Sequence, residues 1–317
     1  MQRYIVTRVL LTIPTLLIAA FIIFAIMRLL PGDTLEARMT EYVNVNNKEN
    51  LAALRKDLGL DKPFHEQFIT YIGALARGDL GRSLNDGRPV TSYLAPRVPV
   101  TLELTVLAAF VSLMIAIPIG ILSAIRQDSF LDYILRSAAI IGLSVPNFWL
   151  GVMAVLIPAL VFGWLPPVEY TLPTENFGQH ISQFLIPAFI LGLFFSASLM
   201  RMTRSMMLEV LRQDYVRTAW AKGLRERVVV VRHATRNALI PVVTILGQEV
   251  AFLIGGSIVM EAIFGLPGIG LLLLDSISFR DYPLVQSIVV LMAFAIVIVN
   301  LLIDLSYAYL DPRIRYT

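Results

Sequence analysis

What most constrains this chain is a series of apolar runs, each about as long as the 20 or so residues a helix needs to cross a bilayer core. They fall at residues 9–27, 104–125, 137–168, 181–200 and 282–303, all free of charge, and a sixth at 237–260 is interrupted only by Glu249. Backbone amides find no water in hydrocarbon, so such runs close their hydrogen bonds internally, as helices. Of 317 residues, 57% are hydrophobic and 15% charged, and the mean hydropathy is +0.73, well above a soluble domain. The expectation is an all-α polytopic membrane protein with six transmembrane helices.

The charges orient those helices. Arg3 and Arg8 precede the first run, Arg126 and Arg136 flank the second loop, and Arg313 and Arg315 follow the last run. Between the fourth and fifth runs stand Arg201, Arg204, Arg212, Arg217, Lys222, Arg225, Arg227, Arg232 and Arg236, against Glu209, Asp214 and Glu226. Short loops rich in Lys and Arg stay cytoplasmic, which places both termini inside. The opposite loops agree: one offers Glu169 and Glu175 with no cation, the other only Arg280 against Glu261, Asp275 and Asp281. Topology thus accounts for the net charge of +3, and lipid rather than nucleic acid is the expected surrounding. The first run exceeds a signal-peptide core of roughly 7–15 residues and lacks a small-x-small cleavage site before Pro31, so a retained helix is expected. With no cysteine, neither disulfides nor thiolate chemistry arises.

Four segments follow: a tail and first helix at 1–30, an external segment at 31–99, a five-helix core at 100–308 with a cytoplasmic loop at 201–239, and a cytoplasmic tail at 309–317. In the external segment Leu51, Leu54 and Leu58, then Phe64, Phe68, Ile69 and Ile72, recur at helical spacing. Gly59 and Gly78 stand in capping positions and Pro63 near a helix start, predicting two amphipathic helices. Pro118, Pro146, Pro158, Pro187 and Pro241 fall in or beside spans, where each removes a backbone hydrogen bond and favours a kink.

Two polar side chains at membrane depth are candidate pathway residues. Asn147 follows Pro146 within Ser144–Gly151 and needs a partner or a wet cavity, and Glu249 is the only ionisable residue well inside a run. Glu249 either lines the pathway, where a carboxylate can meet an ammonium group, or pairs with a sister subunit. No HExxH helix, no Gly-x-Ser-x-Gly elbow and no Walker A sequence occurs, so neither a catalytic site nor a metal site is expected. The glycine-rich Glu261–Gly270 stretch lacks the Gly-Lys-Ser/Thr ending that holds phosphate and reads as a re-entrant or surface helix.

The basic loop itself reads RQDYVRTAWAKGLRERVVVVRHATRNALIPV over residues 212–242, with Ala219 and Gly223 at the i,i+4 spacing that puts small residues on one helical face. This loop resembles the cytoplasmic signature loop of the membrane subunits of ATP-binding-cassette importers, and in its RTAxAKGL and RHAxRNALIPV elements the first membrane subunit of the peptide and nickel subfamily. Against the general superfamily pattern, Arg217 and Thr218 replace Glu and Ala, and Arg236 stands at the proline position. The resemblance extends to LLPGD at 29–33, to GDLGRS at 78–83, to the stretch around Pro146, to residues 261–270, to RDYP at 280–283 and to the tail at 311–316.

The resemblance implies a type I importer permease fold in a bacterial inner membrane, with di- or oligopeptides, glutathione or nickel as cargo. It implies a homologous second permease in a heterodimer, two ATPase subunits that hold ATP and Mg, and an external substrate-binding protein. This chain would bind no cofactor. Asp214, Arg217, Thr218, Ala219, Lys222, Gly223, Leu224, Arg232 and His233 are then the expected ATPase-coupling residues. The external segment is either a platform for the binding protein or a cap over the bundle. The alternative is an ion- or proton-coupled secondary carrier, which calls for several intramembrane charges and an internal repeat of broken helices.

Overall fold

A computed structural model describes residues 2–29, 61–167 and 169–310. Among them, regular structure is helical apart from one isolated bridge between Arg82 and Pro89. The helices are α1 (Gln2–Leu29), α2 (Phe64–Ala76), α3 (Val90–Ile125), α4 (Phe130–Ser144), α5 (Asn147–Phe162), α6 (Phe177–Leu211), α7 (Asp214–Ala221), α8 (Arg236–Gly256), α9 (Ile258–Phe264), α10 (Ile269–Ser278) and α11 (Tyr282–Leu310). A single turn at Glu226–Val228 and a π-helical turn at Val229–Thr235 lead into α8. By length and composition α1, α3, α6, the α8 rod and α11 can each cross a membrane, as can two bent pairs, α4 with α5 and α9 with α10.

The centre of the bundle is α3 packed against α6. Leu104, Ala108, Ser112, Ala116 and Gly120 form a buried stripe on α3, facing Phe184, Ala188, Leu191, Phe195 and Met200 of α6. Small residues let the two backbones approach closely: a methyl group added at Gly192 would lie 2.8 Å from the Ala108 carbonyl oxygen. α8 lies along this pair through Val242 and Leu253. α11 packs on α8, with Ile303 filling the space left by Gly247. α1 runs beside α11, and Arg8 pairs with Asp304 at 3.1 Å.

The run at 137–168 departs from a single span. α4 begins earlier, at Phe130, where Ser129 accepts the Asp132 amide, and it meets α5 at an angle of 86°. Pro146 causes the break: it donates no backbone hydrogen bond and holds Val145 extended, at φ −91°, ψ 122°. Pro118, Pro158, Pro187 and Pro241 instead lie inside helices that continue through them. The run at 237–260 is likewise divided, because α8 stops at Gly256 and α9 begins at Ile258. The boundary expected at residue 99 falls inside α3, which starts at Val90 and runs through Pro96 and Pro99.

The end of the bundle that carries residues 77–89 is stitched together by buried carboxylates. Asp281, fully buried, accepts the Ser83 hydroxyl, the Leu84 amide at 3.2 Å and the Asn85 side-chain amide at 3.2 Å. Ser287 donates to the Leu80 carbonyl at 3.0 Å, so the GDLGRS element is fastened to the start of α11. Upstream, α2 lies on α1 through a ring cluster of Phe21, Phe24, Phe64, Phe68 and Tyr71. Arg28, at the end of α1, donates to Gln67 at 3.0 Å and sits over the Phe24 ring. The described part of the 31–99 segment is therefore packed on the bundle. The helix expected around Leu51, Leu54 and Leu58, the LLPGD element beyond Leu29 and the tail at 311–317 lie outside the described residues.

Glu261 sets the 90° turn between α9 and α10. Its carboxylate accepts the Thr101 hydroxyl at 2.6 Å, the Ser257 hydroxyl at 3.1 Å and the amides of Gly270 and Leu271 at 2.9 and 3.0 Å. Those amides are two of the unpaired donors at the start of α10, where a carboxylate also complements the helix dipole. Gly268 and Gly270 leave room for it, since a methyl group on Gly268 would lie 2.3 Å from the carboxyl carbon. The glycine-rich stretch thus cradles a side chain of its own chain.

Candidate coupling loop and translocation residues

The basic loop is the visible end of two long helices. α3 and α6, with 36 and 35 residues, are about 54 and 52 Å long at roughly 1.5 Å per residue. Both exceed a hydrocarbon core of about 30 Å, and α6 continues through Arg201 and Arg204 to Leu211 rather than ending at Met200. After Arg212 and the extended Gln213 the chain turns straight into α7, with the Gln213 carbonyl accepting the amides of Val216 and Arg217.

α7 is held on its inner side and open on its outer side. Val216 and Ala219, three residues apart, are buried with Val229 against Val210 and Leu211. On the outside, Asp214, Arg217, Thr218, Lys222, Gly223 and Leu224 are exposed, as are Arg225 and Arg232, while His233 is half-buried. Arg217 approaches Asp214 at 3.7 Å, an exposed ion pair of little energetic weight. The Asn237 side chain donates to the Tyr215 hydroxyl at 2.7 Å, tying α7 to the first turn of α8. α7 is thereby braced to α6 on one side and to the α8 rod on the other.

This geometry corrects the reading of Ala219 and Gly223 as two small residues on one helix face. α7 ends at Ala221, and Gly223 lies beyond it in the left-handed region at φ +77°. The Gly223 amide bonds the Trp220 carbonyl at 2.8 Å and the Leu224 amide reaches the Ala219 carbonyl, the double closure of a glycine-capped helix end. Ala219 is small because it is packed against this chain's own Val229 and Val210. Sequence reasoning passed over the exposed apolar residues among the cations: Trp220, Val228 and Val231 are 41%, 39% and 62% exposed. An exposed tryptophan between basic residues was the available signal.

The two candidate pathway residues stand apart. Asn147 is the first residue of α5, half-buried at the Pro146 elbow, and α5 packs on α6 and α9 rather than along α8. Glu249 is in α8, 7% exposed, and neither carboxyl oxygen has a hydrogen-bond partner among the described residues. It lies between Leu246 and Leu253, which pack into the two neighbouring clusters that α8 shares with α3 and α6. Among the described residues, no group of three acidic, histidine or cysteine side chains is placed to hold a metal ion.

Residues 116–316 match the family described as the inner membrane component of binding-protein-dependent transport systems, and residues 1–105 match its N-terminal companion. The chain belongs to that family. Relatives align over the full length of both chains: the oligopeptide transport system permease protein AppB of Bacillus subtilis at 41% identity, the dipeptide permease DppB of Alkalihalophilus pseudofirmus at 39%, and the glutathione permease GsiC of Pectobacterium atrosepticum at 42%. Among solved structures, the inward-facing MetNI methionine ABC transporter superposes with a TM-score of 0.55 at 18% identity, covering 69% of this chain and 96% of that one. An amino acid ABC transporter gives 0.52 at 16% identity, over 69% and 94%. The fold is that of a type I importer permease, and the chain is a multi-pass inner-membrane transport subunit rather than an enzyme or a secondary carrier.

Proposed function

We propose that this chain forms one half of the translocation pathway of an ATP-driven importer for di- or oligopeptides. A homologous permease supplies the other half, two ATPase subunits hold ATP and Mg, and an external binding protein delivers the cargo. Peptide cargo is supported by the names of AppB and DppB as oligopeptide and dipeptide permeases, and by that of GsiC as a permease for glutathione, itself a small peptide. Six crossings follow if α4 and α5 count as one broken span and α9 with α10 as a re-entrant pair on the outer side. The segments 1–30, 31–99, 100–308 and 309–317 then keep the roles expected of them, with the external boundary moved to Pro89.

The observation that carries the coupling role is the bracing of α7. A helix fixed to α6 by Val216 and Ala219 and to α8 by Tyr215 cannot move without moving both. Its outer residues Asp214, Arg217, Thr218, Lys222 and Leu224, with Gly223 shaping the end and Arg232 and His233 behind, form the docking face. A push on that face tilts two core helices together and switches access to the cavity, a rigid-body transition of the kind packed helices support. Asn147 and Glu249 are assigned to the pathway or its gate, Glu249 because an unpaired buried carboxyl is costly unless it serves a substrate or a second state.

The test is to express the tagged chain with its genomic neighbours, purify it in mild detergent and identify by mass spectrometry what accompanies it. Recovery of a second permease and two ATPases is expected. Recovery of this chain alone, with uptake that follows a proton gradient and ignores ATP, would overturn the proposal.

A further inference from the structure

We infer that Arg204 and Asp132 form the clamp through which movement of the coupling segment reaches α4 and the Pro146 elbow, and that they are positioning residues for transport. The inference rests on the coupling reading above and extends it to a pair outside the docking face.

Asp132 is a fully buried carboxylate in the first turn of α4, 72 residues from Arg204 in sequence. The guanidinium of Arg204 engages it through both arms, with Nε 2.9 Å from Oδ1 and the terminal nitrogen 2.7 Å from Oδ2. The Ser123 hydroxyl near the end of α3 donates to Oδ1, and the Asp128 amide donates to Oδ2 at 3.1 Å. Asp128 is one of two non-glycine residues with positive φ among the described residues, at +58°, in the left-handed region that costs an L-residue energy. One carboxylate therefore gathers α3, the tight turn after it, α4 and α6.

The position of the pair in the chain gives it a role beyond stability. Arg204 lies two turns before the end of α6, from which α7 hangs, so it belongs to the arm that the ATPase side would move. α3 already follows α6 through close backbone packing at Gly120 and Gly192. On α4 no glycine is interlocked in this way: Gly142 meets nothing within 4 Å, and the apolar part of the interface is Leu135 and Ala139 against the cluster around Leu199 and Met200, which carries no hydrogen bond to fix direction. A two-pronged hydrogen bond fixes direction as well as distance, and Arg204 is the only residue on α6 that bonds α4 in this way among the described residues. Beyond α4 stands the elbow, then Asn147 and α5. The clamp thus converts tilting of α6 into movement of the α4–α5 elbow.

The test uses the whole complex reconstituted in liposomes, comparing wild type with Asp132→Asn and Arg204→Lys. Asp132→Asn keeps the shape and removes the charge; Arg204→Lys keeps the charge and removes the fork. Recovery of complex, ATP hydrolysis stimulated by loaded binding protein, and solute taken up per ATP are each measured. The expected result is normal recovery and continued hydrolysis, with uptake per ATP falling at least about tenfold in Asp132→Asn and by an intermediate factor in Arg204→Lys. Unchanged uptake per ATP in either recovered variant overturns the clamp, as does parallel loss of recovery, hydrolysis and uptake in both, which marks a purely structural pair. If wild type itself shows no ATP-driven uptake, the importer reading has failed and not the clamp alone.

Discussion

Ser83 donates its hydroxyl to the buried carboxylate of Asp281, joining the loop after α2 to the start of α11 across 198 residues of chain. The same carboxylate takes the Leu84 and Asn85 amides. In Asp281→Ala these donors lose their acceptor, and a buried donor left unpaired costs about 1–3 kcal/mol. Local opening of the loop is therefore expected to rise about tenfold or more, which hydrogen exchange at the Leu84 amide reads directly. Exchange as slow as in wild type would show that something else holds the loop.

Two buried glutamates should respond in opposite ways. Glu261 is satisfied by two hydroxyls and two helix amides, whereas Glu249 has no partner among the described residues. Glu261→Ala strands several donors and is expected to lower stability in detergent by at least about 3 kcal/mol. Glu249→Gln and Glu249→Leu lose no hydrogen bond and are expected to leave stability unchanged or raised while uptake falls. The check is thermal unfolding in detergent beside an uptake assay; a Glu249 variant that unfolds as early as Glu261→Ala, or one that transports normally, contradicts the assignment.

Gly223 tests backbone against docking. Its φ of +77° penalises any residue with a Cβ, yet an added methyl group would meet nothing within 4 Å. Gly223→Ala should cost about 1–2 kcal/mol locally, and Gly223→Asn less, because asparagine tolerates this region. Uptake is expected to follow the order glycine, asparagine, alanine, valine at constant membrane level. If asparagine and valine behave alike, the cap is not what the glycine supplies.

The long apolar runs, the amphipathic spacing of Phe64, Phe68 and Ile72 and the basic loop were legible because they depend on local periodicity and charge. Pro146 could not be told from Pro118, Pro158, Pro187 and Pro241, since a helix breaks or bends through a proline according to what its neighbours pack against. The meaning of Ala219 and Gly223 depended on where α7 ends, which a spacing of four residues does not reveal. Glu261 and Asp281 read as loop charges that set topology, and only folding brings Thr101 and Ser83 to them. Arg204 was counted among the cations of the basic loop and Asp132 carried no reading, because their pairing needs α3 and α6 side by side in parallel with α4 running back along them. Glu249 stood out correctly as an isolated charge in an apolar run; its lack of a partner is a property of the packed bundle.

In the proposed function α7 transmits ATP-driven movement to the helices around the pathway. The most direct measurement is uptake of a labelled dipeptide into liposomes holding the complete complex, with loaded binding protein on the outside and ATP sealed within. Uptake is expected to require both ATP and binding protein and to be lost, with ATP hydrolysis retained, when Trp220 and Leu224 on the exposed side of the coupling loop are changed together to Asp. Uptake that proceeds without ATP under a proton gradient, or that survives the double substitution, would contradict it.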